Sequence, residues 1–445
     1  MSFVEAVTAD PLLELHGLVV LRGGRTVFEN YWAPYQADDR TLVYSCSKTL
    51  TATAVGLAVA EGRFALTDKV VDLLPGDAPD PADDLVSQLT VHHLLSMSTG
   101  HDADTIEAIV VGRPAHWARR ILAVRPQTPV GSRHIYNNGA SFLLGEIVRA
   151  RTGEDILEFL TPRVFGPMGI APTWDRDPLG RCLGWTGAHL TTAWLAAVGE
   201  LYRCDGVWNG VRLLPAGWVG QATAKHIPTS HEERDEWARG YGYQLWQGRE
   251  GYRLDGAFGQ FSLVLPERDL VIGITSAQSE TEHLLNLVWE LLLPELDDGL
   301  TGLDGHVPGT PLDDSGEGTR WAAGAPVHDP SLAAPTEDAP ALPQLADVTA
   351  SRAAGGFTVE FSTEGSRVRV QAPAQWERQV VAIAGVDVPV AARAGARPDG
   401  SLAVELTFTE TPHTLRLRLR PDGSAGMAWS VPPLQTAELS HKVAR

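Results

Sequence analysis

Apolar and polar positions change period several times along the chain, and each change marks an element. Residues Leu18 to Tyr31 form two short β-type runs, Leu18-Val19-Val20-Leu21 and Thr26-Val27-Phe28-Glu29-Asn30-Tyr31, around Gly23-Gly24, which predicts a hairpin. From Ser47 to Glu61 Ala, Leu and Val recur at helical spacing and stop at Gly62, the pattern of a buried helix that begins near Ser45 and ends on a glycine cap. Between about Asp80 and Gly240 helices and loops dominate. They include amphipathic segments at Ser141 to Arg151, closed by Gly153, and at Thr192 to Tyr202. Strand patterns return at Tyr252 to Leu254, Phe261 to Leu265 and Leu270 to Thr275, the last two joined by Pro266-Glu267-Arg268-Asp269, and an apolar helix follows at Glu282 to Leu293. A sheet drawn from both ends of a domain with helices between them is an α+β arrangement, here with an α-rich insertion.

Periodicity then lapses. From about Leu296 to Val348 the chain is rich in Pro, Gly, Ala and Asp, as in Gly309-Thr310-Pro311-Leu312-Asp313-Asp314-Ser315-Gly316, and reads as a linker. After Gly356 strict alternation sets in, for example Arg367-Val368-Arg369-Val370 and Leu415-Arg416-Leu417-Arg418-Leu419-Arg420, the signature of strands with one wet face. The expected organisation is a domain at 1–295, a linker at 296–348 and a small antiparallel β-domain at 349–445. The arginine alternation is expected to be a solvated face rather than an anion-binding strip.

Composition narrows the function classes. A formal net charge of -19 over 445 residues repels phosphate backbones and anionic lipid, so no nucleic-acid partner is expected. No stretch reaches the roughly 18 apolar residues of a membrane span and no leader pattern opens the chain, so the expectation is a cytoplasmic protein with no membrane partner. The three cysteines, Cys46, Cys182 and Cys204, lack metal-site spacing and read as buried thiols. His92, His93 and His101 also lack a ligand-spaced partner, and adjacent histidines point apart, so no metal site is expected. Lysine occurs only at 48, 69, 225 and 442.

That scarcity bears on the candidate chemistry. In Ser45-Cys46-Ser47-Lys48, placed where an extended segment enters the apolar helix, residues three apart share a face and the hydroxyl can meet the amine. A serine hydroxyl needs a base to become a nucleophile, and a buried lysine can serve once its pKa is lowered, whereas arginine cannot deprotonate. Chance supplies such a spacing about one time in five, so weight falls on the context: the helix continues through Ala60 without a charge. Downstream, Tyr136-Asn137-Asn138 precedes the helix from Ser141; Tyr136 could relay a proton, and Asn138 could hydrogen-bond Lys48 and a substrate carbonyl. A third element is Leu254-Asp255-Gly256-Ala257-Phe258-Gly259-Gln260, whose glycines would let an acyl group lie against the strand edge, with a backbone N–H near Ala257 or Phe258 in an oxyanion hole.

Ser45-x-x-Lys48, Tyr136-x-Asn138 and a Gly-rich strand at Gly256, in that order, resemble the β-lactamase and penicillin-binding-protein superfamily, in particular its class C-like esterases, D-amino-acid amidases and 6-aminohexanoate-oligomer hydrolases. Val70-Val71-Asp72-Leu73-Leu74-Pro75 and Leu94-Leu95-Ser96-Met97-Ser98-Thr99-Gly100 extend the likeness over about residues 15 to 295. The resemblance implies a β-lactamase-like antiparallel sheet flanked by helices. It also implies an acyl-enzyme formed on Ser45 with Lys48 and Tyr136 moving protons, and no metal or organic cofactor. The chain departs from it at the third motif, where Leu254-Asp255-Gly256 stands in place of Lys-Thr-Gly or His-x-Gly. Without that cation a substrate carboxylate loses its partner and Asp255 opposes it, so a neutral or cationic small-molecule ester or amide is expected rather than a β-lactam. Aromatic residues such as Trp185, Trp237, Tyr241, Tyr243 and Trp246 divide between an acyl pocket and packing. A catalytically silent ligand-binding protein on the same fold, and a C-terminal domain that shields the cleft or mediates self-association of a homo-oligomer, stay open on sequence alone.

Overall fold

A computed structural model describes residues 1–79, 83–110, 114–313, 320–333 and 341–444. The chain divides into two compact units. One holds residues 1–18, 27–42 and 274–444, the other residues 19–26 and 43–273.

The second unit carries the candidate chemistry. Its centre is the helix Ser47–Ala60, buried on nearly every side, in keeping with the absence of charge after Lys48. It packs on the helix Asn138–Thr152, which starts where the Asn137 side chain accepts from the Ala140 amide at 3.2 Å and ends at Gly153 in the left-handed region. Thr191 caps the helix Thr192–Arg203 in the same way, accepting from the Trp194 amide. Beside that helix lies the strand Gln260–Leu265, paired antiparallel with Tyr252–Gly256 so that Gln260 opposes Gly256 and Ser262 opposes Leu254. Trp246–Gln247 adds a further antiparallel strand beyond Tyr252–Gly256. Asp269 in the left-handed region closes the turn at Pro266–Arg268, and Gly23 and Gly24 are both left-handed at the predicted hairpin turn.

In the first unit the helix Phe3–Ala9, not foreseen from periodicity, is fixed by a capping box between Ser2 and Glu5. The predicted apolar helix runs Thr281–Leu287, passes through a π turn at Val288–Leu292 and ends as Leu293–Asp297. The Pro/Gly/Asp-rich stretch is not featureless. Gly302–Val307 pairs parallel with residues 28–32, Arg320–Ala323 pairs antiparallel with Ala346–Ala353, and Val327–His328 pairs parallel with residues 426–427. Residues 314–319 and 334–340 of that stretch lie outside the described residues. Strands this short, partly of small residues, leave no alternation to read.

The alternating C-terminal segments form two sheets. One orders Arg320–Ala323, Ala346–Ala353, Gly356–Thr363 and Ser366–Ala372; the other contains Glu377–Ile383, Val386–Ala396, Leu402–Phe408, His413–Leu419 and Ala425–Trp429 in successive antiparallel pairs. Their inward residues, among them Trp321, Phe357, Leu406, Leu417 and Trp429, make one apolar core. The outward arginines are ion-paired: Arg418 with Asp399 at 2.7 Å, Arg420 with Asp329 at 2.6 Å and Arg416 with Glu14 at 3.5 Å. These three arginines are half-buried, so the face expected to be solvated is partly covered. Among the described residues no helix is long and apolar enough to cross a membrane.

Close packing of the central helix yields a stability prediction. A Cβ added at Gly56 would stand 2.3 Å from the Trp218 indole, and Trp218 is itself buried. Gly56→Val should therefore cost about 2–3 kcal/mol through overpacking, read as a lower urea midpoint; an unchanged midpoint contradicts this packing.

Candidate active site

Ser45 occupies the middle of a single tight turn, Tyr44–Cys46, that leads into the helix from Ser47. Tyr44 has φ of 46°, an unfavourable conformation for an aromatic residue that persists only where its surroundings enforce it. Here they do. Ser47 Oγ donates to the Tyr44 carbonyl at 2.6 Å and accepts from the Ala188 amide at 3.0 Å, while the Val43 amide donates to the Ala188 carbonyl at 2.9 Å. The Cys46 thiol donates to the Gln260 carbonyl at 3.2 Å. The turn thus presents Ser45 as the one residue of 41–50 that is not buried.

Lys48, 1 % exposed, reaches Ser45 Oγ at 2.8 Å and the Trp185 carbonyl at 2.8 Å. Burial brings its pKa down from that of a free lysine to about 7, and the negative charges of Asp104 and Asp255 limit the fall. Near neutral pH a large share of Lys48 is unprotonated and can accept the serine proton. Tyr136 hydrogen-bonds Ser45, and its ring lies 4.8 Å from Lys48 Nζ. It stacks on Trp246 and meets the edge of Tyr241. Burial drives its pKa well above that of free tyrosine despite the bond to Ser45, so it stands as a phenol able to pass on a proton.

Asn138 differs from expectation. Its amide nitrogen donates to Asp104 Oδ2 at 2.5 Å and its backbone N–H to Asp104 Oδ1 at 2.8 Å; the place beside Lys48 is taken by the Trp185 carbonyl instead. The cause is local: Asp104 accepts from the first amides of the helix, Asn138 and Gly139, and draws the Asn138 side chain with them.

The third motif is a three-residue hairpin tip. Phe258 and Gly259 are both left-handed, and the Gly259 amide donates to the Gly256 carbonyl at 3.3 Å. A Cβ at Gly256 would stand 2.3 Å from the Val43 carbonyl oxygen, so glycine is needed for this strand to lie against the turn that carries Ser45. Phe258 also meets Tyr44 edge to face at 5.4 Å. Leu254 is fully buried. Arg253, two residues from Asp255 on the same strand face, donates to it at 2.9 Å and is otherwise engaged by the Glu236 and Gln247 carbonyls and the Trp237 ring. The other arginine acting on Asp255, Arg234, lies over the Trp237 ring at 3.9 Å. Burial raises the Asp255 pKa, against the pull of Arg253.

Several participants went unseen in the sequence. Buried Gln244, left-handed at φ 60°, joins the nucleophile helix through Thr49, the helix 138–152 through Ser141, and the Leu94 and Leu95 carbonyls. A lone amide inside the aromatic run Tyr241 to Trp246 was its only signal. The aromatic residues divide: Tyr241 and Trp246 back Tyr136, whereas Tyr243 stacks on His226 and binds His92 Nδ1. His93 bonds the Thr90 helix cap and His101 bonds Thr99 and the Val124 carbonyl. All three cysteines are free thiols.

The family model described as Beta-lactamase matches residues 10–293. Penicillin-binding protein 4 of Amycolatopsis lactamdurans is 28 % identical over 56 % of this chain and 75 % of its own length. The 6-aminohexanoate-dimer hydrolase of Paenarthrobacter ureafaciens is 26 % identical over 46 % of this chain; the chain spans only 56 % of that relative's length. Among solved structures SurE superposes with a TM-score of 0.55 at 21 % identity, over 94 % of this chain and 97 % of SurE. That fold likeness therefore extends past the family match into the C-terminal sheets.

The lowered pKa of Lys48 fixes the sign of a pH dependence. Covalent labelling of Ser45 by a fluorophosphonate should speed up as pH rises through about 7, where Lys48 loses its proton. Asp104→Asn removes a negative charge that favours the protonated amine, so it should move this midpoint to lower pH. A rate that falls across the same interval contradicts the assignment of Lys48 as base.

Proposed function

The chain belongs to the β-lactamase family of serine hydrolases, and from that premise we propose that it cleaves a carboxylic ester or amide through an acyl-enzyme on Ser45, within a hydrolase domain at 1–295 to which the β-domain at 349–445 is appended. The observation that carries this reading is Lys48 Nζ at 2.8 Å from Ser45 Oγ, buried and with its pKa brought to about 7. Lys48 takes the hydroxyl proton as Oγ attacks the substrate carbonyl. The negative oxygen that develops is held by the N–H of Ser45 and by a backbone N–H at Ala257 or Phe258. Tyr136, a neutral phenol hydrogen-bonded to the nucleophile, passes a proton to the leaving alcohol or amine. Water then attacks the acyl ester by the reverse route. Asn138, with its amide nitrogen committed to Asp104, offers its oxygen to an N–H of the substrate.

Ester or amide chemistry is favoured over β-lactam hydrolysis by the third strand. Leu254 is buried, Arg253 is spent on Asp255 and on two carbonyls, and the Asp255 carboxylate remains near Lys48. A substrate carboxylate would meet the Asp255 carboxylate along this strand, with Arg253 turned to Asp255 and two carbonyls and Arg234 stacked on Trp237, so a neutral or cationic acyl compound suits the site. The relative named as a 6-aminohexanoate-dimer hydrolase supports amide cleavage within the family.

The test is turnover by the full chain. Wild-type protein should hydrolyse short-chain p-nitrophenyl esters and uncharged amino-acid amides faster than a chromogenic cephalosporin. Ser45→Ala should lower ester turnover by ~10³-fold or more, and Lys48→Arg should be similarly inactive because arginine does not deprotonate. Full activity in either variant removes the proposed mechanism.

A further inference from the structure

His134, two residues before Tyr136, is 1 % exposed, and neither of its ring nitrogens has a hydrogen-bond partner. A buried imidazole left in that state is costly unless something binds it. Its surroundings are specific. His134, His231 and Glu232 each place one ligand-type atom within 4.8 Å of the others. Glu232 Oε1 lies 3.9 Å from His134 Nδ1 and 3.7 Å from His231 Nε2. Ligands around a tetrahedral ion with bonds of about 2.0–2.1 Å stand roughly 3.3 Å apart, so the two Glu232 distances need to contract by about half an ångström and the pair of imidazole nitrogens, within 4.8 Å of each other, by up to about 1.5 Å. The two partners can supply these contractions, because the side chains of His231 and Glu232 are 49 % and 29 % exposed while His134 is fixed.

We propose that His134, His231 and Glu232 form a binding site for a divalent transition-metal ion of the zinc type. Two imidazoles and one carboxylate suit such an ion, and they leave its remaining position to solvent. The ligands come from two segments. His134 belongs to the segment that carries Tyr136, and its ring packs against Tyr241 and Trp246, the residues that back Tyr136. His231 and Glu232 belong to the turn 229–237, closed by Thr229 Oγ1 donating to the Trp237 carbonyl at 2.6 Å and by the Glu232 amide donating to the Thr229 carbonyl at 2.9 Å. That turn also supplies Trp237, a hydrogen-bond partner of Asp255. A bound ion would fasten the turn to the segment that carries Tyr136. This site shares no ligand with the Ser45 centre and does not depend on the acyl-enzyme reading.

Titration of tag-free, metal-stripped full-length protein with zinc tests it, followed by calorimetry, with cobalt as a spectroscopic substitute. One equivalent should bind, the cobalt form should show the visible absorption of a low-coordinate site, and zinc should raise the melting temperature. His231→Ala, at an exposed position, and Glu232→Gln, at a half-buried one, should each weaken zinc binding by about tenfold or more while Ser45 labelling continues in the metal-free variants. Absence of zinc binding, or equal affinity in wild type and both variants, overturns the proposal.

Discussion

The site depends on one constraint: an amine that must lose its proton is held where water does not reach it. Lys48 sits in a helix with no charged side, and burial alone lowers its pKa, while the surrounding carboxylates pull it back up. The balance leaves the group near neutrality, which is what a base for a serine hydroxyl requires. Neighbouring features serve that balance. The strained Tyr44 turn sets Ser45 over the amine, the Trp185 carbonyl fixes its direction, and Gly256 lets the third strand lie against the turn. Tyr136 feels the same desolvation with the opposite effect, because burial stabilises a neutral phenol as it does a neutral amine.

Much of this was legible in the sequence, for identifiable reasons. Ser45 and Lys48 could be paired because a three-residue helical spacing is geometry that a sequence states directly, and the uncharged run after Lys48 announced its burial. The C-terminal strands could be read because alternation maps one residue in two onto a core. The short strands at 302–307 and 320–323 could not, since pairing partners nearly thirty or more residues away decide them. Asn138 shows the same limit at the site. Its place before a helix was clear, but its partner, Asp104, lies more than thirty residues upstream and no local pattern couples them. Gln244 was invisible for a similar reason: its four partners come from three separate segments.

The third strand separates family membership from substrate. Membership rests on a match across residues 10–293, whereas the proposed preference in substrate charge rests on the side chains at 253–255. On that strand the buried Arg253 gives its Nε to Asp255 and its Nη1 to the Glu236 and Gln247 carbonyls. A charge that is already paired contributes little to binding an anion, so the same scaffold and nucleophile can serve a different acyl compound.

The central claim, that Ser45 carries the acyl group, is tested most directly by intact-protein mass spectrometry after brief mixing of the full chain with an activated ester, followed by peptide mapping. The account predicts a single adduct of the acyl mass, located on Ser45 and absent from Ser45→Ala. An adduct on another residue, or ester turnover by wild-type protein with the variant equally active, would contradict it.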